Sequence, residues 1–349
     1  MASKSMELGH MASTGMMSAF VKSQFCTRPR RAPAETDLSG QAAIITGGSA
    51  GLGFHCARHL LSLKLSHLIL GVRSLEKGES AADKLRIDYP GAKIDVWYLE
   101  MSSYKSIQNF CRRAETDLSR LDITILNAGL MQPNFTTCST GHEKVIQVNY
   151  LSTFLMAILM LPTCKHKAPE GKPGRLTIVS SGTALWAKLS NRDERPFLAS
   201  FDDPKIHPWE PTERYFDSKG LGHLFFVRML EYLNGDDVIV NLVEPGMCKE
   251  TGLQRDAKGA TALFLDTFKY LAGRKPEDGA WTYVDAAVVK GKESHGCFLM
   301  DWKIHPFTKI VYLLEAKPLV DTLWEEIMAE FEFAGAREIL EKCKKGEDA

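Results

Sequence analysis

Apolar residues fall into two alternating patterns along the chain. Short, mostly apolar runs occupy Ala42–Ile45, Leu68–Val72, Ile94–Leu99, Ile123–Leu126, Arg175–Val179 and Val238–Val243, each bounded by turn-forming or polar residues. Such runs read as strands buried on both faces. Between them, apolar residues recur at helical spacing and predict helices over Gly51–Leu63, Leu75–Tyr89, Ser103–Ser119, Gly141–Leu161, Tyr215–Leu233 and Pro276–Lys290. Strands alternating with helices predict an α/β fold with a doubly wound parallel sheet. Cys297–Trp302 is a candidate last strand.

The pattern weakens elsewhere. Ala184–Glu213 is irregular and carries Pro196, Pro204, Pro208 and Pro211, and Met247–Gly273 reads as a loop and helix over the same face. One domain, residues 37–305, accounts for the alternation. Residues 1–36 read as a leader or poorly ordered tail. Within it, Met16–Phe25 has mild helical spacing and predicts a cap on the fold, with a membrane-surface or substrate-channel element as the alternative. Residues 306–349 form a C-terminal helical extension, Pro318–Lys345, interrupted at Gly335.

Composition narrows the classes. The 349 residues include 43 basic and 43 acidic side chains, so no net charge argues for nucleic acid or an anionic membrane. The longest apolar stretch, Leu151–Pro162, is shorter than the ~20 residues that span a bilayer, so no transmembrane segment is expected. Eight cysteines are scattered without a C-x-x-C pair, so neither a metal site nor a disulfide framework is expected, and a reducing, cytoplasmic setting is. His207 and His305 sit beside prolines without carboxylate partners at metal-ligand spacing and read as structural.

Candidate chemistry lies at the strand ends, where open α/β sheets bind ligands. The first strand runs into Thr46-Gly47-Gly48-Ser49-Ala50-Gly51-Leu52-Gly53 and then a helix. Glycines permit the tight turn, and the helix N-terminus favours a pyrophosphate. Later strands end at Arg73, Glu100-Met101, Asn127-Ala128-Gly129, Ser180-Ser181 and Pro245-Gly246. In Tyr215-Phe216-Asp217-Ser218-Lys219, Tyr215 and Lys219 share a helix face. A nearby ammonium favours the phenolate, so Lys219 is expected to lower the pKa of Tyr215 and make it a general acid or base.

Together these motifs resemble the short-chain dehydrogenase/reductase family over roughly Leu38 to Trp302. The resemblance implies a Rossmann-type fold and hydride transfer between a nicotinamide cofactor and a carbonyl or alcohol. It assigns proton exchange to Tyr215, hydrogen bonding of the substrate oxygen to Ser181, and ribose binding with tuning of Tyr215 to Lys219. Asn149 would support a water-linked proton path to Lys219. Gly47, Ser49, Gly51, Leu52 and Gly53 would cradle the cofactor, with Glu100, Met101, Asn127, Ala128 and Gly129 lining it. Pro245, Gly246 and Thr251 would lie near the nicotinamide. Val72 stands where NAD-dependent relatives place an acid, and Arg73 follows, with Lys77 four residues on, so NADP(H) is expected. No metal is implied.

The 33 residues between Ser181 and Tyr215 exceed the family's simplest members and hold Trp186, Phe197, Phe201 and Trp209. This arrangement resembles retinol-dehydrogenase-like and fungal biosynthetic members, which implies a lipophilic, polyketide-type small molecule and a place in secondary metabolite biosynthesis. Homo-oligomers through the helices holding Asn149 and Tyr215 are also consistent with the resemblance. Two alternatives remain at this point: a non-redox isomerisation, elimination or cyclisation at the same residues, and a silent cofactor-sensing protein.

Overall fold

The computed structural model describes residues 3–10, 15, 18, 20–249 and 273–346. β1 (Ala42–Thr46) passes through the glycine turn into α1 (Gly51–Ser62), followed by β2 (His67–Val72), α2 (Leu75–Asp88), β3 (Lys93–Tyr98), α3 (Tyr104–Asp117) and β4 (Ile123–Leu126). The second half contributes α4 (Lys144–His166), β5 (Gly174–Val179), α5 (Pro211–Met229), β6 (Val238–Glu244), α6 (Pro276–Val284), β7 (Phe298–Met300) and β8 (Lys303–His305). Two helices, α7 (Lys317–Glu330) and α8 (Ala336–Lys345), close the described chain.

The sheet order is β3-β2-β1-β4-β5-β6-β7-β8. All pairs are parallel except β7 with β8. Strand order reverses between β1 and β4, which opens a crevice at their carboxyl ends. Period-two alternation sends neighbours to opposite faces. Ile44 and Ile69 join a core with α3, α4, α5, α7 and α8, whereas Ala43, Ile45, Leu68 and Leu70 join one with α1, α2 and α6. The α/β expectation therefore holds, with helices on both faces of a mostly parallel sheet.

Helix starts follow local chemistry. Ser74 and Ser103 accept the Lys77 and Ser106 backbone N–H groups, capping α2 and α3. The buried Glu143 carboxylate accepts the N–H groups of Val145 and Ile146 at the start of α4. α5 begins at Pro211, four residues before the expected Tyr215, because Glu210 caps it and proline fits the first turn. α4 begins at Lys144 and runs past Pro162 to His166, with a π-helical stretch at Gln147–Ser152. This 23-residue helix has the length and hydropathy of a membrane span, yet 89% of its apolar window is buried inside the fold. It is the core helix.

One expectation needs correction, and two features lie beyond what the sequence pattern predicts. The segment set aside as a tail is docked where it is described: Ser5 is fully buried, its hydroxyl accepts the Phe298 N–H at 2.9 Å, and its carbonyl accepts the Tyr312 hydroxyl. The antiparallel strand β8 was not anticipated. Its hairpin turns on Asp301 and Trp302, both at positive φ, without the usual glycine or asparagine signal. Finally, the outer faces of α4 and α5 are not bare. Trp324 of α7 stacks on Phe225 and Tyr232, and Leu340 of α8 is buried in the same core as Leu155, Met156 and Met160. The predicted helix within Met247–Gly273 falls almost wholly outside the described residues.

Candidate active site

Strand ends bring the predicted residues to one cleft of about 580 Å³. Gly47, Ser49, Gly51, Leu52, Gly53, Arg73, Lys77, Glu100, Met101, Asn127, Ala128, Gly129, Ser181, Tyr215, Lys219, Pro245 and Gly246 all border it. Thr251 lies outside the described residues. Asn149 does not border the main cleft and is reached from behind it.

The glycine turn is built around Asn127. Its Nδ2 donates to the carbonyls of Thr46 and Gly47 at 2.8 and 3.3 Å, while the Thr46 hydroxyl accepts the Asn127 and Ala128 N–H groups at 2.9 Å. A Cβ at Gly53 would sit 2.6 Å from both the Gly47 carbonyl oxygen and Asn127 Nδ2, so only glycine lets α1 approach this closely. Gly51 has φ of +55° and open space around it, which leaves its backbone bare to the cleft. That cradle, at a helix N-terminus, fits the pyrophosphate of a dinucleotide. At the far side of the turn, Arg73 Nε stands 3.8 Å from Glu100, and the Arg73 side chain is 56% exposed. Glu100 is held by the Ser102 N–H and hydroxyl at 2.9 and 2.8 Å.

Ser180 and Ser181 part company at the end of β5. Ser180 turns inward to His223 Nε2 at 3.0 Å. Ser181 faces the cleft beside Tyr215 and receives the Thr183 hydroxyl at 2.8 Å. The Lys219 ammonium donates to the Val179 carbonyl at 2.9 Å and lies 6.0 Å from the Tyr215 ring centre. Burial pushes Lys219 down to about 8.

The expected lowering of Tyr215 by Lys219 is not what the site shows. Burial pushes Tyr215 up to about 12, the Ser181 hydroxyl opposes this, and the Glu244 charge adds to it. Lys219 is turned to Val179 rather than to the phenol, so desolvation dominates.

Asn149 lies in the π-helical stretch of α4. Its amide exchanges two 2.8 Å hydrogen bonds with the backbone of Leu130 and donates to Ser218 at 3.2 Å. It thereby pins the segment after Gly129. A small cavity of about 10 Å³ touches both Asn149 and Lys219, the size of one water.

Sequence reading missed Glu244, although it stands at a strand end. It is buried in the cleft, accepts the Gly246 N–H and packs against Gly182. Burial pushes it up to about 7. Arg274 lies against the same loop, donating to Pro245, to Ser23 and to Asp301. Phe20 of the N-terminal segment and Phe216 also border the cleft. Of the four aromatics in the insertion, only Trp186 borders the cleft. Phe197 and Phe201 are core residues, and Trp209 donates to the Pro133 carbonyl.

A second cluster, His207, Glu213 and Asp217, has carboxylate and imidazole atoms close enough to consider a metal. Arg214 can only donate, so His207 Nδ1 accepts from it and Nε2 carries the imidazole proton. That tautomer leaves no lone pair for an ion, in keeping with the structural reading of His207.

A family profile described as short chain dehydrogenase matches residues 41–190. The short chain dehydrogenase/reductase mfmJ of Annulohypoxylon moriforme is 53% identical over 326 residues, covering 93% of this chain and 94% of that protein. This chain belongs to the short-chain dehydrogenase/reductase family. Another relative in that family, the short chain dehydrogenase virL of Hypocrea virens, is 41% identical over 93% of this chain and 95% of its own length. Among solved structures, the Pseudomonas aeruginosa RhlG/NADP active-site complex superposes with a TM-score of 0.56 at 23% identity, covering 80% of this chain and 98% of that one. A short chain dehydrogenase from Shigella flexneri complexed with NADP gives 0.53 at 18% identity, over 77% of this chain and all of the other. These likenesses establish the fold. Membership makes this short-chain dehydrogenase/reductase an oxidoreductase that works with a nicotinamide cofactor and a small-molecule substrate.

Proposed function

We propose that the protein is an NADP(H)-dependent oxidoreductase acting on a carbonyl or alcohol of a lipophilic small molecule. The observation that carries this reading is the convergence of Ser181, Tyr215 and Lys219 on the cleft that begins at the glycine cradle. When bound, the nicotinamide supplies or accepts the hydride. Every other step belongs to side chains of this chain. Tyr215 exchanges a proton with the substrate oxygen, and Ser181, lining the same cleft, holds the same oxygen and stabilises its developing charge. Lys219 holds the ribose and, once drawn from Val179 toward Tyr215, lowers the phenol pKa. The small cavity between Asn149 and Lys219 gives a water a place to relay the proton.

Arg73 supports the choice of NADP(H). It is half-exposed at the end of β2, with a long 3.8 Å contact to Glu100 among the described residues, so it has donors to offer a 2′-phosphate. Two structural neighbours are described as NADP complexes, which accords with this preference. Leu130, Met131, Leu185 and Met247 give the substrate side an apolar lining. The resemblance to fungal biosynthetic members supports a role in making a secondary metabolite. All eight cysteines are free, which accords with a reducing compartment such as the cytoplasm.

Titration of the purified protein with NADPH and NADH, followed by fluorescence of the reduced nicotinamide, tests the cofactor half. Tighter binding of NADPH, with loss of the reduced-nicotinamide absorbance on adding carbonyl compounds, is expected. Failure of both cofactors to bind would overturn the reading.

A further inference from the structure

Three aromatic rings from separate segments meet on the substrate side of the cleft. Phe20 comes from the N-terminal segment, Trp186 from the turn after Ser181, and Phe216 from α5 beside Tyr215. The Phe20 ring stands edge-on to Trp186 at 6.1 Å with an interplanar angle of 67°. Trp186 is tilted 35° to Phe216 at 6.2 Å. All three border the cleft that holds Ser181 and Tyr215, and all three are only partly buried. Phe197 and Phe201, from the same insertion as Trp186, are fully buried. The chain thus has core positions for aromatic residues, and these three instead line the cleft of the reacting groups.

Each ring is held by polar or close-packed anchors. The Gln24 side chain pairs with both backbone groups of Met247, at 2.9 and 3.2 Å. Ser23 accepts from Arg274 through its carbonyl and hydroxyl, and donates to Asp301 at 2.9 Å. These ties fix the segment one turn beyond Phe20 against the loop after β6. On the other side, a Cβ at Gly220 would lie 2.3 Å from Ala187, so the missing side chain lets the Trp186 turn press against α5. The distance between Trp186 and Phe216 is therefore set by backbone packing.

We propose that Phe20, Trp186 and Phe216 form a ring-binding subsite, and that the substrate carries its reacting carbonyl or alcohol on a planar, conjugated aryl system. Aromatic rings prefer edge-on or offset partners, and each such contact adds roughly two- to tenfold in affinity beyond simple burial. The reaction balances as aryl carbonyl plus NADPH plus a proton giving aryl carbinol plus NADP⁺, or the reverse. The inference rests on the redox reading for the identity of the reacting group. The position of the ring rests on the three aromatic side chains alone.

The test compares naphthaldehyde with its fully saturated perhydro analogue, which has the same carbon skeleton without planarity. NADPH-dependent kcat/KM is measured for both aldehydes, and calorimetry measures binding of naphthoate and perhydronaphthoate to the protein–NADP⁺ complex. Phe20→Leu and Trp186→Leu keep apolar bulk and remove the ring face. A preference for the planar compounds is expected, falling roughly two- to tenfold in each variant while NADPH affinity stays unchanged. Equal handling of planar and saturated compounds, or a full preference retained in both variants, would overturn the subsite. If naphthoate binds preferentially but neither aldehyde is reduced, the subsite stands and the redox reading falls. If both aldehydes are reduced equally, the redox reading stands and the subsite falls.

Discussion

The carboxylate of Glu244 packs against Gly182, where an added Cβ would sit 2.9 Å from Oε1, joining the end of β6 to the residue that follows Ser181. The same carboxylate receives Gly246, so two loops flanking the reacting groups share one acid. Arg274 faces this acid favourably, while Asp301 and the neighbouring Tyr215 share its surroundings. Glu244→Gln keeps an acceptor for Gly246 and removes the charge. Tyr215 is then expected to ionise at lower pH, since the Glu244 charge is one of the influences raising it. Tyrosinate absorbance titrations of the parent protein, Glu244→Gln and Tyr215→Phe separate the Tyr215 contribution. Superimposable curves for parent and Glu244→Gln would refute the coupling.

Stability carries a second sign from the same residue. A carboxyl raised to about 7 binds its proton more tightly folded than unfolded. Its contribution to stability therefore falls as pH rises from the ordinary carboxylate range through about 7 and is level above that. Glu244→Gln should flatten this part of the profile, as read by denaturant midpoints across pH.

His142 works in the same direction at higher pH. Desolvation lowers it, but hydrogen bonds to Asp202 and Glu330 outweigh that and raise it to about 9. Its stabilisation is complete below its ordinary pKa and is lost as pH rises from there through about 9. The loss is on the order of 3 kcal/mol. His142→Gln should abolish that alkaline loss of stability, and an unchanged profile would remove His142 from the account.

Arg73→Ala should weaken NADPH roughly 10- to 100-fold and leave NADH nearly unchanged, the worth of a charge-assisted hydrogen bond. Equal weakening of both cofactors would refute contact with the 2′-phosphate. Arg73 also pairs with Glu100, so Glu100→Gln is the control for a purely structural effect.

Trp324→Ala should destabilise the whole domain by roughly 3–5 kcal/mol. Trp324 stacks between Phe225 of α5 and Tyr232, and Glu326, two residues on, accepts the N–H groups of Phe197 and Leu198 at 2.9 and 2.6 Å. A single unfolding transition at lower denaturant would show α7 to be integral to the domain. Separate melting of the C-terminal helices would contradict that.

Strand positions were legible because buried parallel strands are mostly apolar runs, and their ends carried the motif residues. Thr46 to Gly53, Asn127 and the Tyr215–Lys219 pair needed only local spacing to be recognised. Features set by distant contacts were not legible. The docking of Gln24 on Met247 joins residues far apart in sequence. β8 turns on Asp301 and Trp302, neither of which announces a left-handed bend. Pro211 and Pro162 read as breaks, yet the first opens α5 and the second lies within α4. Glu244 was passed over because the Pro245-Gly246 pair beside it matched the family pattern.

The central claim is that Tyr215 moves the proton in a nicotinamide-dependent reaction. Consumption of NADPH is measured across aryl and alkyl carbonyl compounds with the parent protein and with Tyr215→Phe, alongside NADPH binding to each. Loss of turnover by roughly 10²- to 10⁴-fold with NADPH affinity retained is the predicted result. Turnover by Tyr215→Phe at the parental rate would contradict it.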